Sequence, residues 1–203
     1  IGLLLVFTAC DFSVNKDVRI PDGSRRSRGA RSVNGNVRVG SDCRVQGECM
    51  SVNGSIEIGR RSTVRGLKSV NGGISIAEEA VVSRTVDIVN GSLDMEPGSV
   101  VKRGIKSVNG PVRLDSALVQ GGVLLYNGDV YLNHGSRVEG DIIIKRSKST
   151  HSDPEHPQVI EINNGSVVEG DIRVNNPDRR VDVILINGGR VTGSLENVNV
   201  IEK

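Results

Sequence analysis

The side chains best suited to chemistry sit together in His151-Ser152-Asp153-Pro154-Glu155-His156, where two imidazoles and two carboxylates fall within six residues. Zinc and copper accept imidazole nitrogen and carboxylate oxygen, so His151, Asp153, Glu155 and His156 are candidate metal ligands. Short polar segments contain histidine by chance, Pro154 and Pro157 stiffen this one, and no outside ligand is identifiable. The expectation is therefore no metal and no cofactor, and a segment that serves as a contact surface carried by a rigid scaffold. Cys43 and Cys49 could pair in an oxidising compartment. Cys49 falls among inward apolar positions, however, and Cys43 beyond a corner, which favours a small buried hydrophobe over a disulfide. No Ser/His/Asp constellation or phosphate loop can be placed, and charged residues vary irregularly along the chain, so catalysis is not expected.

The N-terminal run Ile1-Gly2-Leu3-Leu4-Leu5-Val6-Phe7-Thr8-Ala9-Cys10 is apolar but too short to span a bilayer as a helix. It reads as the end of a secretory signal (1–9), with the alternative of a buried apolar strand and an incidental cysteine. Thr8-Ala9-Cys10 resembles the bacterial lipoprotein box, although Phe7 stands where leucine is usual. That resemblance implies acylation of Cys10 and a membrane anchor, with 10–12 as a short tether. Two acyl chains are needed for stable anchoring, because one binds only marginally. Asp11 resembles the residue that retains enterobacterial lipoproteins in the inner membrane, and the leaflet is left open. Arg19, Arg25, Arg26, Arg28 and Arg31 follow closely. They are either within electrostatic reach of anionic headgroups, at about 1 kcal/mol each, or a solvated end cap.

What must position all of this is a repeat. Ser-Val-Asn-Gly occurs at 32–35, 51–54, 69–72 and 107–110, with looser copies at 13–16, 88–91 and 125–128. The marker asparagines Asn15, Asn34, Asn53, Asn71, Asn90, Asn109 and Asn127 are separated by 19, 19, 18, 19, 19 and 18 residues. So tight a period means one structural unit stacked on itself. Apolar residues fall into four columns, headed by Val18, Ile20, Val45 and Cys49. The first two lie two residues apart, which is the alternation of a strand with one face inward. Asn-Gly is also a hairpin signal, but a meander reverses at each turn, whereas every unit here keeps the same polarity. The expected fold is all-β: a single-stranded parallel β-helix of about nine coils over 13–200, with a tail at 201–203. Right-handed crossovers are the general rule for parallel strands. Stacked asparagines can pass side-chain hydrogen bonds between coils, and the glycine beside each permits a positive φ at the corner. The same periodic role accounts for the Asn-Gly-Ser sequons at Asn53, Asn90 and Asn164.

Beyond Asn127 the rhythm changes. Val130–Ile142 matches Ile160–Ile172 thirty residues later, and a third copy runs from Val183 to Leu195. The polar segment 145–157 between the first two is expected to leave the stack as a loop, with a smaller excursion at Asn175-Asn176-Pro177-Asp178.

The units Gly-Ser-Arg-Val-Glu-Gly-Asp-Ile (135–142), Gly-Ser-Val-Val-Glu-Gly-Asp-Ile (165–172) and Gly-Gly-Arg-Val-Thr-Gly-Ser-Leu (188–195) resemble the repeats of bactofilins, bacterial polymer-forming β-helices. The Ser-Val-Asn-Gly-x-Val-x-Val units are similar to those of adhesin-type domains on envelope proteins. These resemblances imply a right-handed β-helix without catalysis, and for bactofilins end-to-end polymerisation. A lipid anchor hard against the first coil departs from that pattern.

The formal charge of +2 gives no overall footprint for nucleic acid. The expected function is a non-catalytic, periplasm-facing envelope lipoprotein whose β-helix is a rigid scaffold or interaction module. Its partners would be the membrane, an envelope protein or polysaccharide, or a second copy through the C-terminal strand. The alternatives are a carbohydrate-processing enzyme, since polysaccharide lyases share the fold, and a metal-binding protein through His151 and His156.

Overall fold

Each repeat folds into one coil with three strand segments. A representative turn runs through Ile74–Ile76, Val81–Val82 and Thr85–Asn90 before Leu93–Met95 opens the next. The computed structural model describes residues 11–145, 157–176 and 179–203. Among these there is no helix, and neighbouring coils pair in parallel throughout, making a β-solenoid of about nine turns. At the spacing of hydrogen-bonded strands the stack is about 43 Å long.

One side is a ten-stranded sheet from Val18–Ile20 to Asn199–Glu202. The other two sides are a face of two-residue strands such as Val100–Val101, and a motif face whose strands end at the marker asparagines, such as Gly104–Asn109. Two long strands, Arg44–Asn53 and Thr63–Asn71, turn the corner between these sides and join them into one seventeen-stranded sheet. The difference between 18- and 19-residue coils is absorbed at such corners. Between the partners Val45↔Val64 and Glu48↔Gly66 one strand carries two residues against one, a bulge that leaves both flanking registers intact.

Equivalent residues lie over one another. Val18, Val37, Ile56, Ile74, Leu93, Val112 and Val130 are successive partners on the ten-stranded face. Cys49, Leu67, Val86, Ile105, Val123 and Ile142 are successive partners on the motif face. All are buried. Most of the expected loop (146–156) and part of the smaller excursion (177–178) lie outside the described residues, and register is kept on either side of them: Val130 pairs with Ile160, Ile160 with Val183, and Ile142 with Ile172. Three inward faces this close leave room for Val, Ile, Leu and Met95 but not for a ring. Accordingly no described aromatic side chain is buried, and Phe12 is 60% exposed. Emptying one interior place, as in Ile74→Ala, removes packing from two neighbouring layers and costs about 2–5 kcal/mol.

The Ser-Val-Asn-Gly motif divides its labour by residue. Its serine points inward and is buried, its hydroxyl held by a corner carbonyl: Ser51 donates to Gly35 O at 2.9 Å and Ser69 to Gly72 O at 2.8 Å. In two of the looser copies the same inward place is taken by Ile88 and Leu125. The asparagine points outward, and each Nδ2 donates to the Oδ1 of the coil before, from Asn34 on Asn15 to Asn127 on Asn109, at 2.8–2.9 Å.

The glycine differs from the expectation. Its φ is positive at Gly110 (134°) and Gly128 (114°), but Gly35 and Gly54 are not in that region. What unites the column is close approach: a Cβ would stand 2.4 Å from Gly35 O at Gly54 and 2.2 Å from Gly91 O at Gly110. The coils are stacked there backbone on backbone, so glycine is required by the layer beneath. The left-handed corner lies elsewhere, at Asp42, Arg61, Glu79, Ser116 and His134, with φ of 47–57°.

Candidate functional site

Cys10 and the candidate ligands His151, Asp153, Glu155 and His156 lie outside the described residues. The five early arginines are described, and the fold separates them. Arg19 projects from the ten-stranded face, where it is the neighbour of Arg38. Arg25 and Arg26 belong to the short-strand face and pair with Arg44 and Val45. Arg28 sits at the next corner and Arg31 on the motif face just beyond it, where they join Gln46, Glu48, Arg65 and Arg84 around a groove of about 550 Å³.

Outward residues form rows along the prism because each coil contributes one. On the ten-stranded face one row reads Arg19, Arg38, Glu57, Ser75, Asp94, Arg113. Its charges are tied across coils: Arg38 reaches Asp17 at 2.7 Å and Glu57 at 3.2 Å, and Arg113 reaches Asp94 at 3.2 Å with Tyr131 under its guanidinium at 5.9 Å. Ser75, small between two carboxylates, opens a trough of about 540 Å³ with Gly40, Gly59 and Gly73 in its lining. Glu57 and Asp94 flank that trough as members of ion pairs. At the left-handed corner Arg61 meets Asp42 at 2.8 Å and His134 Nδ1 meets Asp115 at 2.6 Å. Such solvent-screened pairs set the register of the surface more than its stability.

Carboxylates also hold the backbone of the following coil. Asp17 accepts from Asn36 N at 2.8 Å, Asp22 from Ser41 N at 2.9 Å, and Asp171 from Ser194 N at 2.7 Å. The backbone N–H on Asp17, with Arg38 adding to it, holds that carboxyl below the usual range; for Asp171 the Ser194 N–H leads and Arg173 follows. These are structural uses of groups that a sequence shows only as scattered acids.

The motif face carries a different surface. The valine of each motif points outward, so Val33, Val52, Val70, Val89 and Val108 form a half-buried apolar file beside the asparagines, continued by Tyr126. Apolar alternation marks the inward face and so does not reveal this row, whose signal in the sequence is the valine that recurs at the second motif position.

Both described cysteines are free and buried. Burial pushes the Cys49 thiol up to about 11, and Cys43 Sγ donates to Pro21 O at 3.1 Å. Among the described residues no group of three or more metal-binding side chains comes together.

The chain matches no protein-family model, no curated protein and no solved structure.

Proposed function

We propose that the protein is a non-catalytic scaffold or interaction module of the bacterial cell envelope, tethered at its first coil through an acylated Cys10 and facing the periplasm. The observation that carries this is the outward valine file on a stack whose layers are held by side-chain as well as backbone bonds. A straight, stiff face with a repeating apolar row suits the docking of an extended or flat partner, and rigidity keeps the ordering cost of binding low. The bactofilin-like units support a family of polymer-forming solenoids, and Leu195 and Val200, exposed on the final coil, suit end-to-end contact.

The anchor is tested by labelling with an alkyne fatty acid: Cys10→Ser abolishes the label and releases the protein from the membrane fraction. The module is tested by crosslinking in the native envelope, where Val89→Lys with Val108→Lys removes captured partners and leaves the melting temperature unchanged. Retention of the same partners by that variant sinks the reading. End-to-end assembly predicts sedimenting polymers that Val200→Lys dissolves.

A further inference from the structure

We propose that the chain pairs side by side with a second copy of itself, running antiparallel, through the edge where the short-strand face meets the motif face. This names a partner for the module proposed above and rests on that reading only in taking an outer face as the working surface.

The edge is divided by charge. Along the early coils the charged residues of this corner are Arg28, Arg65, Arg84, Lys102 and Arg103, with Glu48 the one carboxylate among them. Of these, Arg65, Arg84, Lys102 and Arg103 make no ion pair with any described residue, although arginines on the other faces do. Along the late coils the same corner carries Glu139, Asp141, Glu169 and Asp171. Arg137 pairs with Glu169, and Arg173 has Asp141 (3.7 Å), Asp171 and Glu196 (3.5 Å) around it, so these coils stay acidic after internal pairing. Between the halves lies a neutral coil with Gln120, Gly121 and Gly122.

Beside this corner an outward row of the motif face runs Lys68, Asp87, Lys106, Leu124, Ile143, Arg173, Glu196, each the strand partner of the next. A two-fold axis along the strand direction, at the level of Leu124, sets this row against itself reversed. Leu124 then meets Leu124, Lys106 meets Ile143, Asp87 meets Arg173, and Lys68 meets Glu196. The corner row obeys the same operation: Lys102 and Arg103 face Glu139 and Asp141, and Arg84 faces Glu169 and Asp171. The half-buried Leu124 and Ile143, apolar where neighbouring coils carry charge, form the centre. An apolar centre with opposed charges on either side is the arrangement of an isologous interface. The strip spans six coil steps, about 29 Å, and like charges would meet in the parallel arrangement, which selects the antiparallel one.

The test is sedimentation of the full chain at low and high salt, with two charge-reversed variants, Arg84→Glu/Lys102→Glu and Glu139→Lys/Glu169→Lys. The expected result is a wild-type dimer that weakens with salt. Each variant alone should have its dimer affinity reduced about 100-fold, since two opposed pairs on either side of the axis become repulsive, while an equimolar mixture restores a heterodimer by native mass spectrometry. Leu124→Cys should form a disulfide to its own counterpart, identified as a 124–124 crosslinked peptide; this variant leaves the charges untouched and controls for misfolding of the reversals. A wild-type monomer at the highest attainable concentration overturns the pairing, as does a dimer indifferent to both reversals. Binding to anionic vesicles by a monomeric chain also overturns it, and leaves the scaffold function standing.

Discussion

Arg179 donates from Nη1 to Asn127 Oδ1 at 3.1 Å, across 52 residues, and also to the Tyr126 carbonyl. Asn127 is the seventh asparagine of the file, and nineteen residues on the sequence has Arg146 in place of an eighth amide. The acceptor that an asparagine would have satisfied is met by the Arg179 guanidinium. Burial lowers the Arg179 pKa while Asp129 opposes the shift, which marks it as a partly enclosed cation.

Replacing Arg179 with alanine removes the donor that Asn127 Oδ1 and the Tyr126 carbonyl share. The expected loss is about 1–3 kcal/mol, read as a lower urea midpoint, and Arg179→Gln should recover part of it because an amide can still donate. Equal stability of wild type and Arg179→Ala would show that water replaces the guanidinium without cost.

Gly110 and Gly135 separate two kinds of glycine. At Gly110 a methyl would press on Gly91 O at 2.2 Å, and Gly110→Ala should cost more than about 3 kcal/mol because two backbones must move apart. At Gly135, φ 74°, nothing lies within 4 Å, so Gly135→Ala should cost only the left-handed conformation, about 1–2 kcal/mol. Thermal unfolding of the pair checks the ranking.

Acid should loosen the stack. Asp17, Asp42 and Asp171 all have folded pKa values below the ordinary 3.8, Asp42 chiefly through its hydrogen bond from Arg61. A depressed carboxyl contributes stability that is complete above the unfolded value and lost as pH falls through the folded one. Stability should therefore be flat above pH 5 and decline below about pH 4. Asp171→Asn, which keeps an acceptor for Ser194 N but not the charge facing Arg173, should show a shallower decline in pH-dependent denaturation.

Thiol chemistry reports the tightness of the core. Cys49 is buried with its thiol pushed up to about 11, and Cys43 is buried beside Pro21 O, so neither should react with iodoacetamide at pH 8 in the native chain. Both should react fully in denaturant. Mass spectrometry of the alkylated peptides distinguishes the two sites.

The parallel stack was legible because a period repeated with constant polarity leaves few alternatives, and the columns through Val18 and Cys49 gave the inward faces residue by residue. The three-sided coil was not, because strands of two residues such as Val81–Val82 have no alternation to detect. The reason for the motif glycine was misplaced for a physical cause: backbone approach between layers leaves no mark on one coil's own dihedral preferences. The Arg179 cap was invisible for the same reason, since only the third dimension brings 179 to 127. The edge that divides by charge was hidden by a near-neutral total, in which basic early coils and acidic late coils cancel.

The asparagine file also has a direction. Every amide donates toward the N-terminal end, so six bond dipoles add along the axis, as peptide dipoles do in a helix. The oxygen pole at Asn127 faces the Arg179 cation, and the hydrogen pole lies at Asn15, in the first coil. A spine of uncharged side chains thus makes one end of the rod electrically unlike the other.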